Sequence, residues 1–193
     1  MTHTYTDQEL IDRVVSNARG FDSWIKGKYD IWVRSNPQHM DAFEDKVYSF
    51  LVPEDDAVPE FQMVCTGTSH AGSYGLKHFK DYNPQGCAVL QANRFVRGSH
   101  VRGLHKGQYP AYVQAKPWPY YRDNDLDNYA EELGPEHYDI IGAECHHAAF
   151  QGVSTVIYNW SVACLVRNAI AQWNRWFGYM GGVPLNNCIL EEW

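Results

Sequence analysis

Proline and glycine placement most restricts what this chain can fold into. From Trp24 to Val113 the apolar residues come in short extended runs separated by Gly, Pro and Asn. Pro53, Pro59, Pro84, Pro110, Pro117 and Pro119 punctuate the connections. Proline lacks a backbone N–H and clashes with the preceding helical turn, so long helices are excluded here. The runs Tyr29–Arg34, Val47–Val52, Gln62–Thr66, Cys87–Gln91 and Tyr112–Gln114 read as strands. Ile140–Gly142 reads as another buried strand, running into Glu144, Cys145, His146 and His147.

Helical periodicity appears near the two ends. Thr6 and Glu9 fit a capping box, in which hydroxyl and carboxylate satisfy each other's backbone N–H groups. Leu10, Ile11, Val14, Val15 and Ala18 then form one apolar face before Gly20, which predicts a packing helix over 6–19. Ile170, Trp173, Trp176 and Phe177 recur at helical spacing up to Gly181 and Gly182. Helix, many strands, helix is the pattern of a compact, β-rich α+β domain, single across 1–193.

Hydrophobic residues at 45% can build a core. Sixteen Lys plus Arg against 23 Asp plus Glu give a net charge of -7 without a basic run, which argues against nucleic acid and anionic membrane as partners. No apolar stretch approaches the roughly 18 residues of a membrane helix. Five widely spaced cysteines without a CxxC pair argue against a zinc ribbon and read as mostly buried, reduced thiols. Aromatics at 15% exceed what a core asks for, so some are expected to line a surface for sugar or peptide.

The segment 140–168 carries the chemistry. It supplies one or two histidines, a loop, and then Ser161, Val162, Ala163 and Cys164. A free thiol of pKa about 8.5 is only a few per cent thiolate at neutral pH, so a nucleophilic cysteine needs a neighbouring base. The oxyanion formed on attack needs donors, which backbone N–H groups of a turn at Ala163 and Cys164 can supply. Zinc held by Cys145, His146 and His147 is disfavoured, because adjacent residues on a strand diverge. Cys164 can also be read as a core cysteine packed beside Trp160 and Leu165.

This arrangement resembles the catalytic motif of the L,D-transpeptidase (YkuD-like) family: a histidine, a loop, then Ser/Thr-His-Gly-Cys, often with an arginine soon after. The motif serine matches Ser161, the nucleophile Cys164, the base His146 or His147, and the arginine lies close to Arg167. Val162 and Ala163 stand where the motif has His-Gly, and only 13 residues separate His147 from Ser161. Cys65, Thr66, Gly67 and Thr68 resemble the strand and glycine turn that precede the site. His105-Lys106-Gly107 and Tyr121-Arg122-Asp123-Asn124 resemble, more loosely, stretches of phage-encoded relatives.

The resemblance implies an L,D-transpeptidase-like core over 60–182 and a cysteine-dependent hydrolase or transpeptidase of peptidoglycan stem peptides, needing no cofactor. Cys164 would attack the carbonyl before a D-amino acid. His147, nearer in sequence and followed by small Ala148 and Ala149, is the preferred base, with His146 the alternative. Ser161 would orient the histidine or the turn, and Arg167 would hold a substrate carboxylate. Trp160 and Tyr121 are further candidates for substrate contact. The segment Met1–Val14 has no basic leader followed by an apolar run, so no Sec signal is expected. That suits a protein made in the cytoplasm that acts at the cell wall as a phage lysin or within a virion, with virion proteins as partners. The alternatives are a phage structural or tail-associated protein with a degenerate fold, and a wall-binding module that cleaves nothing.

Two further segments carry expectations. Asp123, Asp125 and Asp127 alternate like the opening of a calcium loop, with Glu131 or Glu132 as a substitute for its closing glutamate. Ser69–Gly75 is small-residue chain read as a flexible flap beside the site. His70, His78, His100 and His105 are scattered and read as surface or hydrogen-bonded histidines.

Overall fold

The computed structural model describes residues 4–35 and 41–193. Met1–His3, the start of the segment expected to lack a leader, lie outside them. The protein is a compact, mostly β domain, 40% strand and 16% helix.

The first helix, α1 (Asp7–Asn17), forms as its capping box predicts: the Thr6 hydroxyl accepts from the Glu9 N–H, and the Glu9 carboxylate accepts from the Thr6 N–H. Leu10 and Val14 are fully buried and Ala18 nearly so, while Val15 is exposed, so the apolar stripe is narrower than expected. Burying each of the first two side chains contributes about 2 kcal/mol. They pack on Tyr29, Ile31 and Val33 of β1 (Gly27–Arg34).

The chain continues through β2 (Asp45–Val52), β3 (Glu60–Thr68), the short α2 (Ser73–Lys77), β4 (Cys87–Leu90), β5 (Arg94–His105), β6 (Tyr109–Gln114), β7 (Trp118–Asp123) and β8 (His137–Asp139). Then come β9 (Cys145–His147), β10 (Leu165–Arg167), α3 (Ile170–Met180) and β11 (Leu185–Glu191). Eight strands close a barrel in the order β1-β11-β5-β6-β9-β10-β3-β2, and β4-β7-β8 form a separate sheet. The β1–β11 and β9–β10 pairs are parallel. Trp173, Trp176 and Met180 of α3 join Trp32, Tyr112 and Leu165 in the main core.

Three expectations change. The barrel needs β1, β2 and β11, so the closed unit runs from Gly27 to Glu191 rather than over 60–182. Ile140–Gly142 is not a strand: Gly142 has φ +76°, Ile140 is exposed, and the Gln114 side chain accepts the Ile141 and Ala143 N–H groups a ladder would have used. The stretch read as a flap contains α2, pinned by the Gly72 N–H to the Ser161 carbonyl and by the Ser73 N–H to Asp41.

The barrel interior holds a charge pair. Arg167 and Asp30, both fully buried, form an ion pair, and the Arg167 guanidinium lies 3.8 Å from the Trp176 ring centroid. Ser49 and the Trp176 indole N–H complete the Asp30 carboxylate.

Candidate active site

The register of β9 and β10 builds the site. Cys145 faces Leu165 and His146 faces Val166 across this parallel pair. Side chains alternate along a strand, and Cys145 and Leu165 belong to the barrel core. Val166 lies on the opposite face, in a cluster against which Cys164 and Trp160 pack. His146, on β9, and Cys164, one residue before β10, thus emerge outside the barrel. Both line one cavity of about 780 Å³.

The histidine on the cavity wall is His146. Its Nδ1 lies 3.0 Å from the His147 carbonyl oxygen. A carbonyl only accepts, so Nδ1 carries the hydrogen and Nε2 holds the lone pair. That Nε2 is buried and has no hydrogen-bond partner among the described residues. Burial pulls the imidazole down to about 3, with His105, His147 and Lys106 adding to the effect.

Cys164 is half-buried, with its thiol 3.8 Å from the Gly142 carbonyl oxygen. Burial pushes the thiol up to about 11, and the Glu144 carboxylate adds to the rise. Ser161, fully buried, donates its hydroxyl to the Cys164 carbonyl at 2.8 Å, so it shapes the turn. Ala163 sits at φ +121°, a region costly for any residue with a Cβ. The turn therefore keeps a glycine-like backbone although glycine is absent. Neither the Ala163 nor the Cys164 N–H has a hydrogen-bond partner among the described residues. Gly67 of β3 lies tight against β10, where an added Cβ would meet the Val166 carbonyl oxygen at 2.6 Å.

Sequence reasoning missed the pair beside this wall. His105 and Glu144 are joined by a short hydrogen bond, with side chains 12% and 16% exposed. The His105 ring centroid is 4.3 Å from that of His146 and 5.0 Å from that of Tyr109. The Tyr109 hydroxyl is pushed up to about 12 by burial, reinforced by Cys164 and Glu144. His105 ends β5 and Glu144 lies just before β9, so no local motif links the two.

Other expected residues lie elsewhere. His147 turns from the cavity: its Nδ1–H donates to the Ala149 carbonyl, and its ring packs among Tyr109, Phe150 and Trp173. Arg167 is spent on Asp30 inside the barrel and cannot reach a substrate carboxylate. Trp160 does line the cavity. Tyr121 sits on β7, where its hydroxyl accepts from Gln91 at 2.8 Å. Of the three aspartates, Asp123 is buried, accepts the Glu131 N–H, and is pushed up to about 6 by burial. The exposed acids that converge, with ligand atoms within 4.8 Å of one another, are Asp125, Asp127 and Glu131.

The fold and site thus define a closed β barrel carrying a cysteine and a histidine on its outer face. Searches of family models, curated proteins and solved structures give no match to this chain.

Proposed function

We propose that this protein is a cysteine-dependent acyltransferase or peptidase of peptidoglycan stem peptides, similar in chemistry to the L,D-transpeptidases. The observation that carries the reading is that Cys164, His146 and Ala163 line one cavity, while His146 Nε2 and the Ala163 and Cys164 N–H groups have no hydrogen-bond partner among the described residues. The substrate class rests on the motif resemblance.

His146 Nε2 takes the Cys164 thiol proton as sulfur attacks the peptide carbonyl carbon. The oxyanion is met by the Ala163 and Cys164 N–H groups. Collapse breaks the C–N bond, and the departing amine receives the proton from His146 Nε2. The resulting thioester passes to water or to an acceptor amine. With the thiol raised and the imidazole lowered, the two rest neutral, so proton transfer accompanies bond formation. Lys106 and Arg122, the cations of the cavity wall, take the substrate carboxylate in place of Arg167.

The competing reading, a phage structural or tail-associated protein that has kept such a site without using it, is favoured by the same raised thiol. One experiment separates them. Gram-negative-type peptidoglycan is treated with the wild type and with Cys164→Ala, and released muropeptides are read by mass spectrometry. Loss of terminal D-Ala or cleavage at an L,D bond in the wild type alone supports catalysis. No change with either folded protein supports the structural reading.

A further inference from the structure

We propose that His105, held by Glu144, is a second general base of this cavity and serves the nucleophile that releases the thioester. The inference rests on the acyl-transfer reading above and assigns the half-reaction that reading leaves without a base.

Both histidines use one device. Each has its Nδ1 tied to an oxygen, the His147 carbonyl for His146 and the Glu144 carboxylate for His105. Either partner only accepts, so Nδ1 carries a hydrogen in each ring and Nε2 is the nitrogen left for a base. They differ in access. His146 Nε2 is sealed from solvent and has no hydrogen-bond partner among the described residues. His105 retains 12% exposure and lies at the end of β5, next to exposed Lys106 and Gln108 on the cavity rim. His105 is therefore the more accessible of the two bases to an incoming water or amine. A buried base suits the half-buried thiol, whereas a more exposed base suits a nucleophile from bulk solvent.

The groups facing His105 are Glu144 and His146 of the β9 segment, Tyr109 of β6 and Lys106 of the hairpin. Glu144 acts as the positioning residue: its carboxylate fixes which nitrogen of His105 is free. In the release step the water oxygen bonds to the thioester carbonyl carbon, and its proton passes to His105 Nε2. The C–S bond then breaks, and the Cys164 sulfur leaves with the bonding pair and takes that proton back. An amine nucleophile follows the same course and leaves a new amide.

The test uses the full chain with p-nitrophenyl acetate, an activated acyl ester that needs no substrate identification. The p-nitrophenolate burst reports acylation, the steady state reports release, and intact mass reports the acetyl-enzyme. Cys164→Ala serves as the blank. His105→Ala and Glu144→Gln are expected to retain the burst, lose about tenfold or more in the steady state, and accumulate acetyl-enzyme. Added imidazole should restore release in His105→Ala, and Glu144→Asp should restore part of it. A merely structural role would slow burst and steady state together and gain nothing from imidazole. That outcome, or an unchanged steady state in both variants, overturns the inference while leaving Cys164 as nucleophile. Absence of any Cys164-dependent acetylation in the folded wild type overturns the acyl-transfer reading itself, and this inference with it.

Discussion

Val166 and His146 are register partners across the parallel β10–β9 pair, and this single rung sets the geometry of the site. It turns His146 outward with Val166, and alternation brings Cys164, two residues before Val166, to the same face. His147, one residue on, belongs to the other side of the strand. A one-residue slip would exchange the two histidines.

The resting reactivity of Cys164 follows from its surroundings. With the thiol pushed up to about 11, alkylation by iodoacetamide at pH 7 should be roughly a hundredfold slower than for a free cysteine. The rate should rise about tenfold per pH unit toward pH 11. Cys65, Cys87, Cys145 and Cys188 are buried and also raised, so labelling of the folded protein should be confined to Cys164. Peptide mass spectrometry across a pH series checks both points. Fast labelling at pH 7 would contradict the burial argument.

Ala163→Gly should stabilise the protein by about 1 kcal/mol, because φ +121° strains any residue with a Cβ and glycine adopts it freely. The gain is reduced by the extra freedom glycine gives the unfolded chain. Urea midpoints of the two proteins measure it, and a loss of stability would show that the alanine methyl packs more favourably than its backbone is strained.

Much of this architecture could be read from the residues, for identifiable reasons. The capping box, the Trp173–Trp176 spacing and the uninterrupted apolar runs are local signals, and α1, α3 and five of the strands follow them. The rest depended on distant partners. β5 mixes charged residues with glycine and β7 contains Pro119, so neither shows the alternation that marks a strand. β11 follows a helix and pairs with β1, whose distance in sequence hides it. At the site, Cys164, Ser161 and the choice between two histidines were visible as a motif, while register puts His146 rather than His147 on the cavity wall. His105 and Glu144 are 39 positions apart and meet only through the barrel. Arg167 was misread because its spacing after Cys164 suggested a ligand, whereas strand alternation points it at Asp30.

The Arg167–Asp30 pair makes an unequal prediction for single and double substitutions. Arg167→Met leaves Asp30 buried with two neutral donors, and Asp30→Asn leaves a fully buried guanidinium without its counter-ion. Each should cost about 3–5 kcal/mol, whereas the double variant should be less damaging than the sum. A thermodynamic cycle from urea unfolding gives the coupling, and strict additivity would mean that the two charges do not stabilise one another.

Acid sensitivity should trace to the buried imidazoles, and His100 is the clearest case. Its Nε2–H donates to the Ala143 carbonyl at 2.7 Å, and Ser99 and Asn187 lie against Nδ1. Burial holds it down to about 4, below the roughly 6.5 of an unfolded histidine. As pH falls from 6.5 to 4 the unfolded chain takes up a proton that the folded chain refuses, so stability decreases, by up to about 1.4 kcal/mol per pH unit for one full proton. His70, lowered to about 4, His146, lowered to about 3, and His147, lowered by burial, add losses in the same direction. Asp123, raised to about 6, opposes them: between its unfolded value and pH 6 the folded chain holds the extra proton, so stability there decreases as pH rises. The wild-type curve is therefore a mixture, and the difference between wild type and His100→Gln isolates one group. That difference should shrink steadily from pH 6.5 to 4, as the wild type loses an advantage that the variant never had. Parallel urea-midpoint curves over this range would mean that His100 does not change its protonation on unfolding.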